Sequence, residues 1–251
     1  MLLLLVLAIL VGGALQRVTG MGFGLVAGPF IVLIAGPLEG VLFVNLAGAI
    51  AAVLILGRVA RHVDWRRYAW LAATSVAVMI PAALLLRGAS TAALEIAVGA
   101  FVVVAMTLAV VTTRLRRDGR HPVRPEARVP LVVTGVASGV GSVAAGIGGP
   151  PVAIYSVLSG WDARTFAATA QPFFATNALA ALITKLTLTD ASFPPFAVWQ
   201  WAVVLGAVVL GLVLGDLLAP RVPAAAVRRG LIVLAYLGGA ATLVQGLLHL
   251  G

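Results

Sequence analysis

Two short stretches of this chain could do chemistry through their backbone: residues 20–24, GMGFG, and residues 146–151, GIGGPP. Both interrupt apolar sequence. Glycine permits close backbone approach and positive φ. Pro150 and Pro151 stop one helix and suit the first turn of the next, where a missing N–H costs nothing. A helix opening near Pro151 points its partial positive charge back at the break, and Gly148 and Gly149 place free N–H groups beside it. That combination is an anion site. The first stretch, read on to Pro29, offers the same parts with wider spacing. Gly22, Gly24, Gly146, Gly148 and Gly149 are therefore the backbone candidates for substrate binding. In hydrocarbon an unpaired N–H or C=O is strongly unfavourable, so such breaks are tolerated only inside protein or against a wet cavity. A tight membrane turn would explain either break alone. Two breaks at matching places favour a site.

Four side chains could complete it. Arg17 lies about one turn before the first break, and a charge inside an apolar segment is costly and usually functional. Its planar fork suits bidentate contact with a carboxylate or sulfonate; the alternative is that it snorkels to the interface. Gln16 is its neighbour. Gln171 precedes Pro172, which frees a helix carbonyl, and Asn45 sits similarly in the first half. The alternative for both is interhelical hydrogen bonding, which is preferred for Thr169, Thr176 and Asn177. Arg164, with Asp162 before it, reads as an interfacial anchor. Glu39, Glu95 and Asp216 could carry a proton, but each lies near a span end and reads as interfacial. Lys185 reads as a headgroup anchor, and Trp65, Trp70, Trp161, Trp199 and Tyr68 as an aromatic belt.

The elements that must position these residues are membrane helices. The chain has 251 residues, 62% of them hydrophobic and 10% charged, with a mean hydropathy of +1.12. Apolar runs near 20 residues recur throughout, the mark of a polytopic helical membrane protein. It leaves no room for a sizeable soluble domain. There is no cysteine, so no disulfide, thiolate nucleophile or Cys-based metal site, and His62, His121 and His249 are too scattered to suggest a metal cluster. No cofactor is expected. The net charge of +9 sits in short loops between spans, which reads as a positive-inside signal meeting anionic lipid headgroups rather than nucleic acid. The apolar N-terminal stretch lacks a positive n-region and reads as a retained membrane segment.

Charge placement predicts topology. The basic loops 57–67, 114–128 and 220–229 are expected on the cytoplasmic side. This gives six full spans, over residues 38–56, 68–86, 92–113, 164–184, 196–219 and 230–250. Residues 2–36 and 130–160 each start and end on one side and each contain a break. Both are expected to be hairpins of short or half-length helices. The order of elements repeats: broken hairpin, then three spans. Three is odd, so the second unit is inverted. The expected fold class is an all-α polytopic membrane protein with two inverted-topology repeats, 1–113 and 130–251, joined by a basic cytoplasmic linker, 114–129. This is an arrangement of secondary transporters, whose sites lie at paired broken helices near the midplane. Small-residue stripes at 139–146 and 206–215 read as generic helix packing.

The stretches TGMGFGLVAGPF (19–30) and AAGIGGPPVAIY (144–155), one per half, resemble the paired Gly-rich motifs of the sulfite exporter TauE/SafE family. The resemblance extends over essentially the whole chain in size, two similar halves and a basic central loop. One departure is that Pro150 and Pro151 follow Gly149 directly, removing two backbone N–H groups. The resemblance implies a multi-pass inner-membrane transporter, an exporter of a small anion such as sulfite, sulfoacetate or isethionate. The partners expected are that anion, membrane lipids and a coupling ion, proton or sodium; a homodimer stays open. An anion channel of the same fold is the alternative. An intramembrane enzyme is disfavoured by the absence of HExxH, GxSxG and clustered intramembrane acids.

Overall fold

A computed structural model describes residues 1–20, 22–115, 122–124 and 127–250. Arg116, Arg117, Arg120 and His121 of the basic linker lie outside the described residues. In hydrocarbon the backbone must satisfy its own hydrogen bonds, and the chain does so with ten α-helices among the described residues: α1 Leu2–Thr19, α2 Gly22–Ala35, α3 Pro37–Val59, α4 Trp65–Leu86, α5 Thr91–Leu115, α6 Arg128–Ala145, α7 Gly149–Ser159, α8 Ala163–Leu188, α9 Val198–Leu218 and α10 Ala224–Leu248. A single 3-10 turn, Ala60–His62, comes after α3.

The sequence signals for helix ends act as expected. Gly20 takes φ 81° and its amide closes α1 on Gln16 O; Gly146 takes φ 70° and closes α6 on Ser142 O. An L-residue would be strained at either place. Asp64 and Asp162 cap α4 and α8, their carboxylates accepting the Arg67 and Thr165 amides at 3.0 and 2.9 Å. Gly36 hands the chain to Pro37 at the start of α3.

Each of the six expected spans falls on one helix: α3, α4, α5, α8, α9 and α10. The hairpins differ from expectation in one respect. Their first legs, α1 and α6, are each 18 residues long and apolar enough to cross a membrane, giving eight such helices among the described residues. Eighteen residues span about 27 Å, close to the bilayer core. Only the second legs are short, 14 residues in α2 and 11 in α7. The hydrophobic run before each glycine break is long enough for a crossing helix, and the break shortens only the second leg.

The most extensive helix contacts join α1 to α9, α6 to α4, α3 to α8 and α5 to α10. Thus the first helix of each half packs on the fourth of the other, and α2 meets α10 as α7 meets α5. Residues such as Leu4, Leu85, Val104, Ile183 and Val198 are exposed on the outer faces, as lipid contact requires. One core cluster gathers Phe23, Phe43, Val44 and Val208 from α1's neighbours α2, α3 and α9; another joins Leu25, Val102, Ile147 and Ala235.

Candidate substrate site

The two glycine breaks touch. A Cβ on Gly24 would stand 2.9 Å from Gly146 O, and one on Gly28 would stand 3.2 Å from Ile147 Cδ1. Side chains at these places would hold the hairpins apart. Beside the contact lies a cavity of about 50 Å³ lined by Gln16, Phe23, Gly24, Asn45, Ser142, Gly146, Gly148, Gly149, Phe174 and Asn177, among others. One water needs roughly 10–15 Å³, so the space suits an ion of a few heavy atoms. Asn177 stands 14 residues into the 26-residue α8, about 21 Å along a helix of about 39 Å. The cavity is therefore near mid-depth of the bundle.

The polar side chains among its described lining residues are neutral, and several bring donors to it. The Gly148 and Gly149 amides at the start of α7 have no acceptor among the described residues, because Gly146 and Ile147 alone bond back to α6. Gln16 is 2% exposed and its side chain likewise has no partner among the described residues. Asn177 is fixed by Ser75, whose hydroxyl donates to Oδ1 at 2.5 Å; Nδ2 donates to Ser142 Oγ at 2.9 Å, which leaves its second hydrogen and the Ser142 hydroxyl hydrogen free. A Cβ on Gly148 would come within 2.5 Å of Ser142 Oγ and 2.7 Å of Asn177 Nδ2. The absent side chain is what keeps these donors accessible. Asn45 is spent differently: its Nδ2 donates to Val41 O and Ser142 O at 3.0 and 3.4 Å, bracing the end of α6. No acid or base is among the described residues that line the cavity.

A larger basin of about 310 Å³ adjoins it through Gln16, which lines both. Arg17, Arg58, His62, Arg164 and Gln171 line the basin. Arg17 Nε pairs with Asp216, and Arg58 reaches the other oxygen of the same carboxylate at 2.6 Å. Arg164 adds a third cation to the same wall. Gln171 is buried; its Nε2 donates to Gly20 O at 3.1 Å and its Oε1 has no partner among the described residues. Outside the membrane segment, the Thr165 amide and then its hydroxyl hold the Asp162 carboxyl below its ordinary range.

Of the sequence candidates, Gln16, Asn45, Gly24, Gly146, Gly148 and Gly149 come together at the cavity. Gly22 opens α2, and Arg17 and Gln171 line the basin. Asn177, assigned to helix packing on sequence, lines the cavity, and so does Ser142, which on sequence is only one member of a small-residue stripe. Its place one turn before Gly146 is the available signal. Thr169 and Thr176 do bond between helices, to Asp64 N and Tyr68 Oη. Three residues expected at the interface are packed inside the bundle. Lys185 is 3% exposed and Glu95 is 2% exposed, the latter accepting from Gln245 and meeting His249 Nδ1 at 2.8 Å. Trp161 is buried against Tyr155 and Phe166 under the Arg67 guanidinium. Each lies near a helix end in sequence, but packing against a distant helix covers it.

Fold and cavity together define a polytopic membrane protein with a buried, neutral, donor-rich chamber where two helix breaks meet. The family described as Sulfite exporter TauE/SafE matches residues 4–242, nearly the whole chain, and the chain belongs to that family. Membership points to membrane transport of sulfur-related anions rather than to catalysis. No curated protein and no solved structure matches the chain.

Proposed function

We propose that the protein is a secondary transporter that exports a small sulfur oxyanion or organosulfonate, of the kind of sulfite, sulfoacetate or isethionate, by alternating access. The observation that carries this reading is the meeting of Gly24 and Gly146 beside donors with hydrogens to spare: the Gly148 and Gly149 amides, Gln16 and the second Nδ2 hydrogen of Asn177. A desolvated anion replaces water as their partner, and the start of α7 adds its partial positive charge. Neutral donors suit a carrier, because at mid-depth they bind the anion less firmly than a full counter-charge in the same place would. The three arginines of the basin raise the local anion concentration at its mouth. Gln16, lining both spaces, passes the anion between them.

Alternating access needs two units that rock against each other. We assign them to residues 1–113 and 130–251, joined by the linker 114–129, as inverted repeats; the reciprocal packing of α1 on α9 and α6 on α4 supports that division. The test is counterflow in proteoliposomes preloaded with unlabelled sulfite, sulfoacetate, isethionate or acetate. Saturable exchange of a sulfur anion is the expected result. Conductance far above carrier turnover would replace the carrier with a channel, and no exchange of any of the four would overturn the reading.

A further inference from the structure

Lys185 is 3% exposed although α8 ends three residues later at Leu188. A lysine serving as a headgroup anchor extends its ammonium to water; this one is folded into the bundle. Its ammonium has no ion-pair, hydrogen-bond or ring partner among the described residues: the ion pairs formed there involve Arg17, Arg58, Arg67 and His249. A lysine withdrawn this far from water without a counter-charge is unfavourable, and an anion present part of the time would supply what the bundle does not.

Its position on α8 says which anion. Positions 164, 167, 171, 174, 178, 181 and 185 of α8 advance by alternating steps of three and four, which keeps them on one helix face. Arg164 and Gln171 line the basin, and Phe174 and Ala178 line the cavity. Lys185 is the next polar residue on the same face, two turns and about 10 Å beyond Ala178. Between them Leu182 packs with Leu42 and Ala191, with Phe193 against the same seam. The face therefore runs from the basin, through the cavity, past an apolar seam, to a lysine with no partner among the described residues.

We propose that Lys185 is a second anion station: when the Leu42–Leu182–Ala191 seam parts, its ammonium receives the small sulfur anion as it leaves the Gly148 and Gly149 amides. This rests on the transporter reading above. An ammonium is a strongly hydrated point charge rather than a rigid fork, so it draws the anion across the seam and gives it up to water on the far side. The arginine basin and Lys185 then flank the neutral cavity as two charged mouths.

Vesicles of both orientations carrying the full chain, assayed with ³⁵S-sulfite, test this. In Lys185→Met, KM for sulfite presented at the Lys185 end should rise about tenfold or more, the scale of one charge-assisted hydrogen bond. KM from the arginine-rich end should hold, and Lys185→Arg should hold from both ends. Unchanged KM from both ends in Lys185→Met overturns the station while leaving transport intact. Equal loss from both ends in Lys185→Met and Lys185→Arg marks a structural lysine and overturns it too. Wild-type protein that exchanges neither sulfite nor the organosulfonates removes the transporter reading and this inference with it. Should Lys185→Met fail to fold, Lys185→Cys decides, because the chain has no other cysteine. Modification with 2-aminoethyl methanethiosulfonate rebuilds an ammonium there. Recovery of sulfite exchange supports the station, and no recovery overturns it.

Discussion

At the scale of single residues, the cavity works by what is absent. Gly148 has no side chain where a Cβ would sit 2.7 Å from Asn177 Nδ2. Gly148→Ala should therefore push Asn177 and Ser142 off their bonds and close the space between them. We expect sulfite exchange to fall at least tenfold, the scale of one or two lost hydrogen bonds to a charged group; an alanine variant with wild-type KM would remove these donors from the site. Gln16→Glu is a sharper probe because it keeps shape and changes only charge. A carboxylate facing the anion is repulsive, so KM should rise by about tenfold or more. The checking measurement is the concentration dependence of counterflow, and an unchanged KM would mean that Gln16 does not face the substrate. Arg17 is a different case. It shares Asp216 with Arg58, a pair about one-third exposed, so its loss should alter the basin more than the cavity.

At the scale of helices, backbone contact sets the spacing. A Cβ on Gly211 of α9 would come 2.5 Å from Leu10 O of α1, whereas Gly206 has nothing within 4 Å. The two glycines belong to one stripe, yet only the first holds helices together. Gly211→Ala should lower stability by about 1–3 kcal/mol through overpacking. Gly206→Ala should be neutral or gain up to about 1 kcal/mol. Thermal unfolding in detergent separates them, and equal effects would mean that α1 and α9 do not pack this closely. This contrast shows what the sequence could convey. Six spans, two breaks and the glycine helix ends were legible, because hydropathy, Gly-Pro punctuation and φ requirements are local. The α1–α9 contact was not, since nothing local distinguishes Gly211 from Gly206. The same holds for side chains. Asn45 and Gln16 were legible as rare polar residues in apolar runs. The pairing of Arg17 with Asp216, the burial of Lys185 and Glu95 and the turn of Asn177 toward Gly148 depend on partners far away in the chain.

At the scale of the whole molecule, charge and access are distributed unequally. The basin with Arg17, Arg58 and Arg164 adjoins the cavity through Gln16, while Leu182, one turn beyond the cavity-lining Ala178 on α8, packs with Leu42 and Ala191. The basin acts at a distance, so its effect should be screened. Arg164→Gln should raise KM for sulfite severalfold at low salt, and the difference should shrink near 1 M salt, where the Debye length is about 3 Å. A salt-independent defect would instead mean direct contact with the anion. The seam makes the more demanding prediction. If the molecule is a carrier, the basin and the seam cannot be open together, and here the seam is packed shut by Leu42, Leu182 and Ala191. A single cysteine at Ala167, half-buried in the basin wall, should react with a membrane-impermeant thiol reagent from the arginine-rich face. A single cysteine at Leu182 should react slowly from either face, because Leu182 is 9% exposed. Sulfite on the Lys185 side should reverse the order by stabilising the conformation that binds it there, since a ligand shifts an equilibrium only by its differential affinity for the two states. Leu182→Cys would then label faster and Ala167→Cys more slowly, by similar factors. Reciprocity is the decisive feature. A channel would let both cysteines react at once, and a rigid bundle would leave both rates indifferent to sulfite.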